Sequence, residues 1–504
     1  MFITCKTTES NILCEIKHII STNNVIFVYI FAVGIKNKEG MKRKLLQKLL
    51  EWKNSEKRKP LLLEGARQVG KTYLLETLFG KAYYSNVIRI NFEKADSELL
   101  ALFEGNIEPQ RIVDYLSLKN NTSINQNDTL IIFDEIQESP RALASLKYFA
   151  EDAPEYHVAA TGSLLGIALH SGTSFPVGKV DRLRLYPMDL EEFYWAFGMQ
   201  NQTNEAHEAI KLLHKPLFSS DFKDVFKQYL AFGGMPAAVS EWVESKNISR
   251  VELILKNILA DYKDDFSKHT TSAESRKIGN LWRSIPQQFA KENHKFNYKT
   301  VEPSARGRDY AFALDWLRDI GLIYKIDLTA HGNKLPLSFY ANNSDFKIYA
   351  LDVGLLRQLA GLPASVVVGD DDIWSNFGGA FAENFVLQQL RSLGFDEVYY
   401  WASNADNPPQ PKGKSELDFL VSTDNTIYPV EVKSGKQVKG QSLKVFRNKY
   451  SPKLSVRLSL KDLEYNEGLL NVSLYYSFLF IDLINIKDDL PNSEFAFKKD
   501  KENH

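Results

Sequence analysis

The chain has 504 residues, 44% hydrophobic and 25% charged, a globular composition too long for one ordinary domain and suited to about three. A formal net charge of -1 excludes a globally basic nucleic-acid binder, though not a local basic face. With only two cysteines, Cys5 and Cys14, no disulfide framework or cysteine zinc site can be built, and a reducing cytoplasmic setting is expected.

Residues 1–40 stand apart. Their strongly apolar run, residues 25–35, is too short to span a bilayer, so no membrane is expected. It also lies behind Glu9 and Glu15, unlike the core of a signal peptide. Met41 opens a clean amphipathic helix through Trp52. The expectation is that residues 1–40 are a doubtful extension and that translation starts at Met41.

Residues 41–205 alternate strand-like and helix-like patterns, which predicts a mostly parallel sheet with helices on both faces. The apolar run Leu61-Leu62-Leu63 feeds Gly65-Ala66-Arg67-Gln68-Val69-Gly70-Lys71-Thr72. This fits the phosphate-loop pattern G-x-x-x-x-G-K-[ST] at every fixed position. The glycines let backbone N–H groups approach phosphate. Lys71 brings charge to the outer phosphates, and Thr72 offers its hydroxyl to Mg²⁺. A helix is predicted over residues 72–79, with Leu74, Leu75 and Leu78 on one face. ATP and Mg²⁺ are the expected cofactors.

Residues 87–92 form a second predicted strand. Leu130-Ile131-Ile132-Phe133 is a third, fully apolar and central, ending in Asp134-Glu135. Asp134 is expected to hold Mg²⁺ through its water shell and Glu135 to orient or deprotonate the attacking water. The strand between the phosphate loop and this acidic tip favours the ATPase branch with an added strand over small GTPases. A fourth strand, residues 157–163, ends in small polar residues. Ser163 or Thr161 would sense the γ-phosphate there.

GARQVGKT, LIIFDEIQ, ATGS and the segment Leu185-Tyr186-Pro187-Met188-Asp189-Leu190 together resemble a family of bacterial and archaeal AAA-type ATPases. Members carry a C-terminal domain of unassigned function with a restriction-endonuclease-like core. Phe232-Gly233-Gly234-Met235-Pro236 and Leu351-Asp352-Val353-Gly354-Leu355-Leu356 match the same family. The family's Gly-Arg pair is here Gly178-Lys179, and lysine lacks the planar fork of an arginine finger. Arg182 or Arg184 would be its replacement, if one is needed.

Residues 206–270 read as helices, resembling the lid that follows such a core, with Gly233-Gly234-Met235-Pro236 as a simple break between two of them. A winged-helix-like module is predicted over residues 271–360. Its helices are residues 278–285, 286–292 and 309–317, followed by a strand from Leu322 and a wing turn at His331-Gly332-Asn333-Lys334. Lys295, Lys299, Arg306 and Arg308 precede the third helix and would meet phosphates if nucleic acid binds there.

The last domain, residues 361–484, has predicted strands at residues 399–401, 416–421 and 427–433, with a Pro-rich loop (Pro408, Pro409, Pro411) after the first. Asp418 followed by Glu431-x-Lys433 is the PD-(D/E)-x-K nuclease pattern. Strand alternation puts Glu431 and Lys433 on one face. Two carboxylates there would bind Mg²⁺, and Lys433 would position water or steady charge. Glu383, on a helix-like run, matches the helix glutamate that many members add to the metal set. Lys436, Lys439 and Lys444 would guide a phosphate backbone. Residues 485–504 are a charged tail.

The predicted fold class is therefore α/β: a P-loop ATPase core, a helical lid, a winged-helix-like module and an α/β restriction-endonuclease-like domain. Two functional classes follow. One is an ATPase coupled to a nuclease acting on DNA or RNA. The other is a nucleotide-controlled switch that binds a protein partner or further copies of itself, with the nuclease fold inert.

Overall fold

In the computed structural model, the described residues are 41–163, 166, 175–289, 295–369, 378–403, 415–434 and 440–486. The doubtful extension, both cysteines, the Pro-rich loop, Lys436, Lys439 and the tail from residue 487 lie outside them. The described residues from Met41 onward belong to one compact unit.

Five short strands form the first sheet: β1 (Leu61–Glu64), β2 (Asn86–Asn91), β3 (Thr129–Asp134), β4 (His157–Gly162) and β5 (Asp181–Arg184). Their order is β2-β3-β4-β1-β5, and every pair is parallel. Because β1, β4 and β3 are adjacent and parallel, the chain leaves all three at the same edge. The phosphate-loop sequence, Asp134 and Gly162 are thereby gathered at carboxyl ends, where open α/β sheets bind ligands. All six residues of β3 are buried, as its unbroken apolar run predicts.

Alternation along β1 divides the core. Leu61 and Leu63 face the cluster that continues through the helices into the C-terminal sheet, whereas Leu62 joins Ile88, Ile131 and Phe133 on the other face. The helix predicted after the phosphate loop is present but wound unevenly. It runs as an α-turn (Lys71–Tyr73), a π-wound stretch (Leu74–Gly80) and a last α-turn (Lys81–Tyr83). Such π segments are uncommon and often occur at functional sites.

Helices dominate the middle of the chain: Leu190–Ala196, Gln200–Lys211, Ser219–Phe232, Pro236–Ser245 and Ile248–Lys268. The next helix, Ser272–Phe289, corrects one expectation, because it runs through Pro286 rather than breaking after Ile285. Ile278, Leu281, Trp282, Ile285, Gln288 and Phe289 form one buried stripe along it. Burying that stripe on both sides of the proline outweighs the ~3 kcal/mol that a helical proline costs.

The helices Tyr298–Val301 and Gly307–Asp319 lead into β6 (Ile323–Thr329), which pairs antiparallel with β7 (Ala341–Ala350). His331-Gly332-Asn333-Lys334 lies in the connection between them. This hairpin does not stand alone, since β6 also pairs in parallel with β8 (Tyr399–Ala402). It thus extends an eight-stranded mixed sheet completed by β9 (Glu416–Thr423), β10 (Thr426–Val432), β11 (Ser455–Ser459), β12 (Glu464–Asn466) and β13 (Leu469–Ser473). The order is β12-β13-β11-β10-β9-β8-β6-β7. The three strands predicted from residue 399 onward coincide with β8, β9 and β10.

The glycine pair that reads in sequence as a simple helix break has a more demanding setting. Gly234 donates its N–H to Asp352 Oδ2 at 2.7 Å and accepts from the Met188 N–H at 2.7 Å. A Cβ on Gly234 would lie 1.9 Å from the Met188 carbonyl oxygen, so only glycine fits. Asp352 is fully buried and also accepts from the Leu355 N–H and Gln388 Nε2, at 3.0 Å each. Three separated motifs, around Met188, Gly234 and Asp352, therefore meet at one buried junction.

Candidate functional site

The turn after β1 is built from backbone conformations that exclude most side chains. Gly65 and Gly70 have φ of 149° and 94°, and Gln68 has φ of 67°. A Cβ on Gly65 would lie 2.3 Å from the Leu185 carbonyl oxygen. Lys71 starts the helix, only 5% exposed, with its ammonium donating to the Gly65 and Ala66 carbonyls at 2.8 and 2.9 Å. Burial lowers its pKa to about 8 despite the opposing charges of Glu135 and Asp134.

Thr72 Oγ1 donates to Asp134 Oδ1 at 3.0 Å, and Thr161 Oγ1 donates to the same oxygen at 2.5 Å. The other Asp134 oxygen receives Arg89 Nε at 2.9 Å, and Arg89 also reaches Glu76 at 3.1 Å. Glu135 follows in the left-handed region, φ 52°, which turns its side chain toward β4. Its Oε2 accepts from Ser163 Oγ at 3.0 Å and from Gln137 Nε2 at 2.8 Å. The structure thus brings Lys71, Thr72, Asp134, Glu135 and Ser163 together. Thr161, the other candidate at the tip of β4, holds the Asp134 carboxylate and accepts from the Glu135 N–H at 3.4 Å, whereas the Glu135 carboxylate is met by Ser163.

Fit to a magnesium nucleotide is decided by this donor set. The loop backbone, a buried ammonium held only by carbonyls, and a hydroxyl bonded to an aspartate suit phosphates and one hard cation. Arg182 and Arg184 both pair with Glu64 at the end of β1, at 3.6 and 3.3 Å.

Helix Ile248–Lys268 grips the turn from outside. Tyr262 donates to the Arg67 carbonyl at 2.9 Å, and Gln68 Nε2 donates to Asp261 Oδ2 at 2.7 Å. Asp265 pairs with the Arg67 guanidinium. From the amino-terminal side, buried Arg43 donates to the Val69 and Tyr186 carbonyls at 2.8 and 2.6 Å and to Glu192 at 3.0 Å. Sequence reasoning missed Arg43, Arg89, Tyr262 and Asp265. Their signals are single polar residues within amphipathic or strand patterns, which do not reveal a partner far along the chain.

The C-terminal acids are arranged differently from a metal centre. Glu431 is 1% exposed, and its Oε2 accepts from Arg457 Nε at 3.0 Å, directly across the β10–β11 pairing. Lys433 Nζ lies 3.5 Å from the other Glu431 oxygen, so the predicted pair does share a face. Asp418 Oδ2 accepts from the Val432 N–H at 2.7 Å, and burial together with the Glu383 charge pushes its pKa up to about 7. Glu383 accepts from the Tyr349 hydroxyl at 3.1 Å. Lys347, absent from the predicted site, reaches Glu416 at 2.5 Å and Glu383 at 3.9 Å. Among the described residues no group of three acids, histidines or cysteines gathers tightly enough to hold a metal ion. Glu383 thus lies beside Lys347, Asp418 beside the Val432 N–H, and Glu431 beside Arg457 and Lys433.

No helix among the described residues is long and apolar enough to cross a membrane. Lys295, of the predicted basic cluster, pairs with Asp345, and Arg308 lies 3.7 Å from Asp309.

Three family descriptions match segments of the chain. Residues 57–194 match a family described as an AAA domain. Residues 223–366 and 378–476 match two domains of unknown function, DUF8612 and DUF4143. An uncharacterized protein of Methanocaldococcus jannaschii, MJ1544, is 23% identical over 424 residues, covering 81% of this chain and 82% of its own. Among solved structures, Cdc6p from Pyrobaculum aerophilum shares 12% identity over 66% of this chain and 96% of its own, with a TM-score of 0.23. Protein VC1899 from Vibrio cholerae shares 11% identity over 86% and 99%, with a TM-score of 0.18. Neither superposition is close enough to carry an argument.

Proposed function

We propose that this chain is a Mg²⁺-dependent ATPase of the AAA type whose C-terminal domain acts on or senses nucleic acid. The observation that carries the ATPase reading is the Lys71–Thr72–Asp134–Glu135 arrangement at the carboxyl ends of β1 and β3, supported by the match of residues 57–194 to an AAA domain. Residues 65–72 would cradle the phosphates, with Lys71 turning from the Gly65 and Ala66 carbonyls toward them. Thr72 and Asp134 would hold Mg²⁺, which when bound neutralises phosphate charge. Glu135 would orient the attacking water and take its proton. Ser163, hydrogen-bonded to Glu135, would couple that carboxylate to the nucleotide.

The C-terminal half carries the finer part of the proposal: a winged-helix-like module from residue 271 and a nuclease-like domain with Asp418, Glu431 and Lys433. A second reading, a nucleotide-controlled switch with an inert nuclease-like fold, is favoured by one observation. Lys347 stands among the acids where a nuclease needs a metal.

Hydrolysis and nucleotide-binding assays on two variants test the ATPase reading. Lys71→Ala is expected to abolish binding, while Glu135→Gln keeps binding and stops turnover. Normal hydrolysis by either variant refutes these assignments. Labelled DNA and RNA, offered with Mg²⁺ or Mn²⁺, with and without ATP, separate the two readings. Cleavage by the wild type that Glu431→Ala removes supports the nuclease.

A further inference from the structure

We propose that the Lys347 ammonium is the resident cation of the C-terminal acid cluster, so that Glu383, Glu416 and Asp418 are held without a divalent metal. The inference rests on the second reading, an inert nuclease-like fold, and does not depend on nucleotide hydrolysis at the β1 turn. It begins with placement. Lys347 lies on β7, between Phe346 and Ile348, in a stretch buried from Phe346 to Ala350. Its side chain is 2% exposed, which a lysine accepts only with compensating charge.

Compensation comes from several directions. Glu416, at the start of β9, meets Nζ at 2.5 Å, and Glu383 on helix Gly378–Ser392 lies at 3.9 Å. The Tyr400 ring stands 5.1 Å from the ammonium, a cation–π distance. Tyr349, two residues further on β7 and so on the same face, donates to Glu383 Oε2 at 3.1 Å. Glu383 is therefore orientated by the same strand that supplies the lysine.

A bound divalent ion would occupy the same electrostatic position and would need these carboxylates as oxygen ligands. An ammonium and a dication beside the same acids repel at short range in a poorly solvated site. The nearby pair is likewise committed. Glu431 Oε2 is held by Arg457 at 3.0 Å, and its Oε1, buried without a hydrogen-bond partner, faces the Lys433 ammonium at 3.5 Å, so cations also face the third expected ligand. Each predicted metal ligand thus has a protein cation or backbone N–H beside it, and the residues present do not fit a metal-dependent nuclease centre.

Mn²⁺ alone is the probe, titrated into the nucleotide-free full-length protein, with free Mn²⁺ read by electron paramagnetic resonance up to about 1 mM, the range of weak protein sites. Wild type, Asp418→Asn and Glu431→Gln are expected to take up Mn²⁺ equally, because the cluster contributes no site. Lys347→Met is expected to gain one Mn²⁺ per chain, lost again when Glu383→Gln is added. Should Lys347→Met fail to fold, Lys347→Gln serves in its place, and the wild-type comparison decides by itself. Mn²⁺ uptake by the wild type that Asp418→Asn or Glu431→Gln removes overturns the proposal, as does a folded Lys347 variant that gains no site.

Discussion

The Tyr262 hydroxyl donates to the Arg67 carbonyl at 2.9 Å, fastening helix Ile248–Lys268 to the turn that carries Gly65, Gln68 and Gly70 at positive φ. Asp261 and Asp265, one turn of that helix, hold the side chains of Gln68 and Arg67. Two carboxylates therefore face a turn suited to binding polyanionic phosphate. Any movement of Arg67 or Gln68 toward a ligand must strain or release this helix. Through Gly234 and Asp352, the helices beside it join the strand and helix that carry Lys347 and Glu383. The turn and the C-terminal sheet are thus connected through hydrogen bonds at each end and packed helices between them.

Asp265→Asn tests that clamp. The change removes one negative charge near the phosphate position and leaves Arg67 held, among the described residues, by Glu93 alone, at 3.6 Å, so that it turns more readily toward a ligand. Nucleotide affinity is expected to rise about three- to tenfold, the scale of one charge at several ångströms in a partly solvated site. A fluorescent nucleotide titration at fixed ionic strength reads the change. An unchanged affinity would mean the helix is not felt at the turn.

Substitution at Gly234 addresses the junction. The alanine Cβ of Gly234→Ala would meet the Met188 carbonyl oxygen at 1.9 Å, and both partners are backbone. No side chain can swing away, so one of the hydrogen bonds to Met188 or Asp352 must break. The expected loss is about 3 kcal/mol or more, in the range of overpacking plus a broken buried hydrogen bond. Thermal unfolding should show a fall of several degrees, with poor recovery of folded protein.

What could be read in the sequence follows from how local each signal is. The phosphate turn is legible because its conformations demand glycine at Gly65 and Gly70 within eight residues. The acidic tip of β3 is legible because its strand is apolar without interruption. Strands β8 to β10 are legible as short runs rich in apolar and aromatic residues, which are buried without interruption over most of their length. By contrast, Gly234 reads as punctuation until Met188 and Asp352, far along the chain, are placed against it. Pro286 reads as a break because its cost is local, while the stripe that overrides it is tertiary. Lys347 is a lone cation in an apolar strand, and nothing nearby in sequence says that Glu383 and Glu416 surround it. Long-range pairing, not composition, separates a metal centre from an ion-paired core.

One histidine makes stability pH-dependent. His207, on helix Gln200–Lys211, stands between Asp482 at 2.6 Å and Glu191 at 2.9 Å. Burial alone would lower its pKa, but the hydrogen bonds and charges of these two carboxylates raise it from 6.5 to about 9. Lys44 pairs with Glu191 as well, at 2.6 Å, so the imidazolium shares that acid with a fixed cation. The folded-state value exceeds the unfolded one, so the contribution is fully present below pH 6.5 and is lost as pH rises through about 9. The ring is 27% exposed, so solvent screening reduces the gain, which is on the order of 1–2 kcal/mol. Wild type should therefore lose thermal stability between about pH 6.5 and 9 more steeply than His207→Gln, and the two curves should draw together at the alkaline end. Parallel curves across that window would show that the imidazolium does not hold the Glu191–Asp482 bridge.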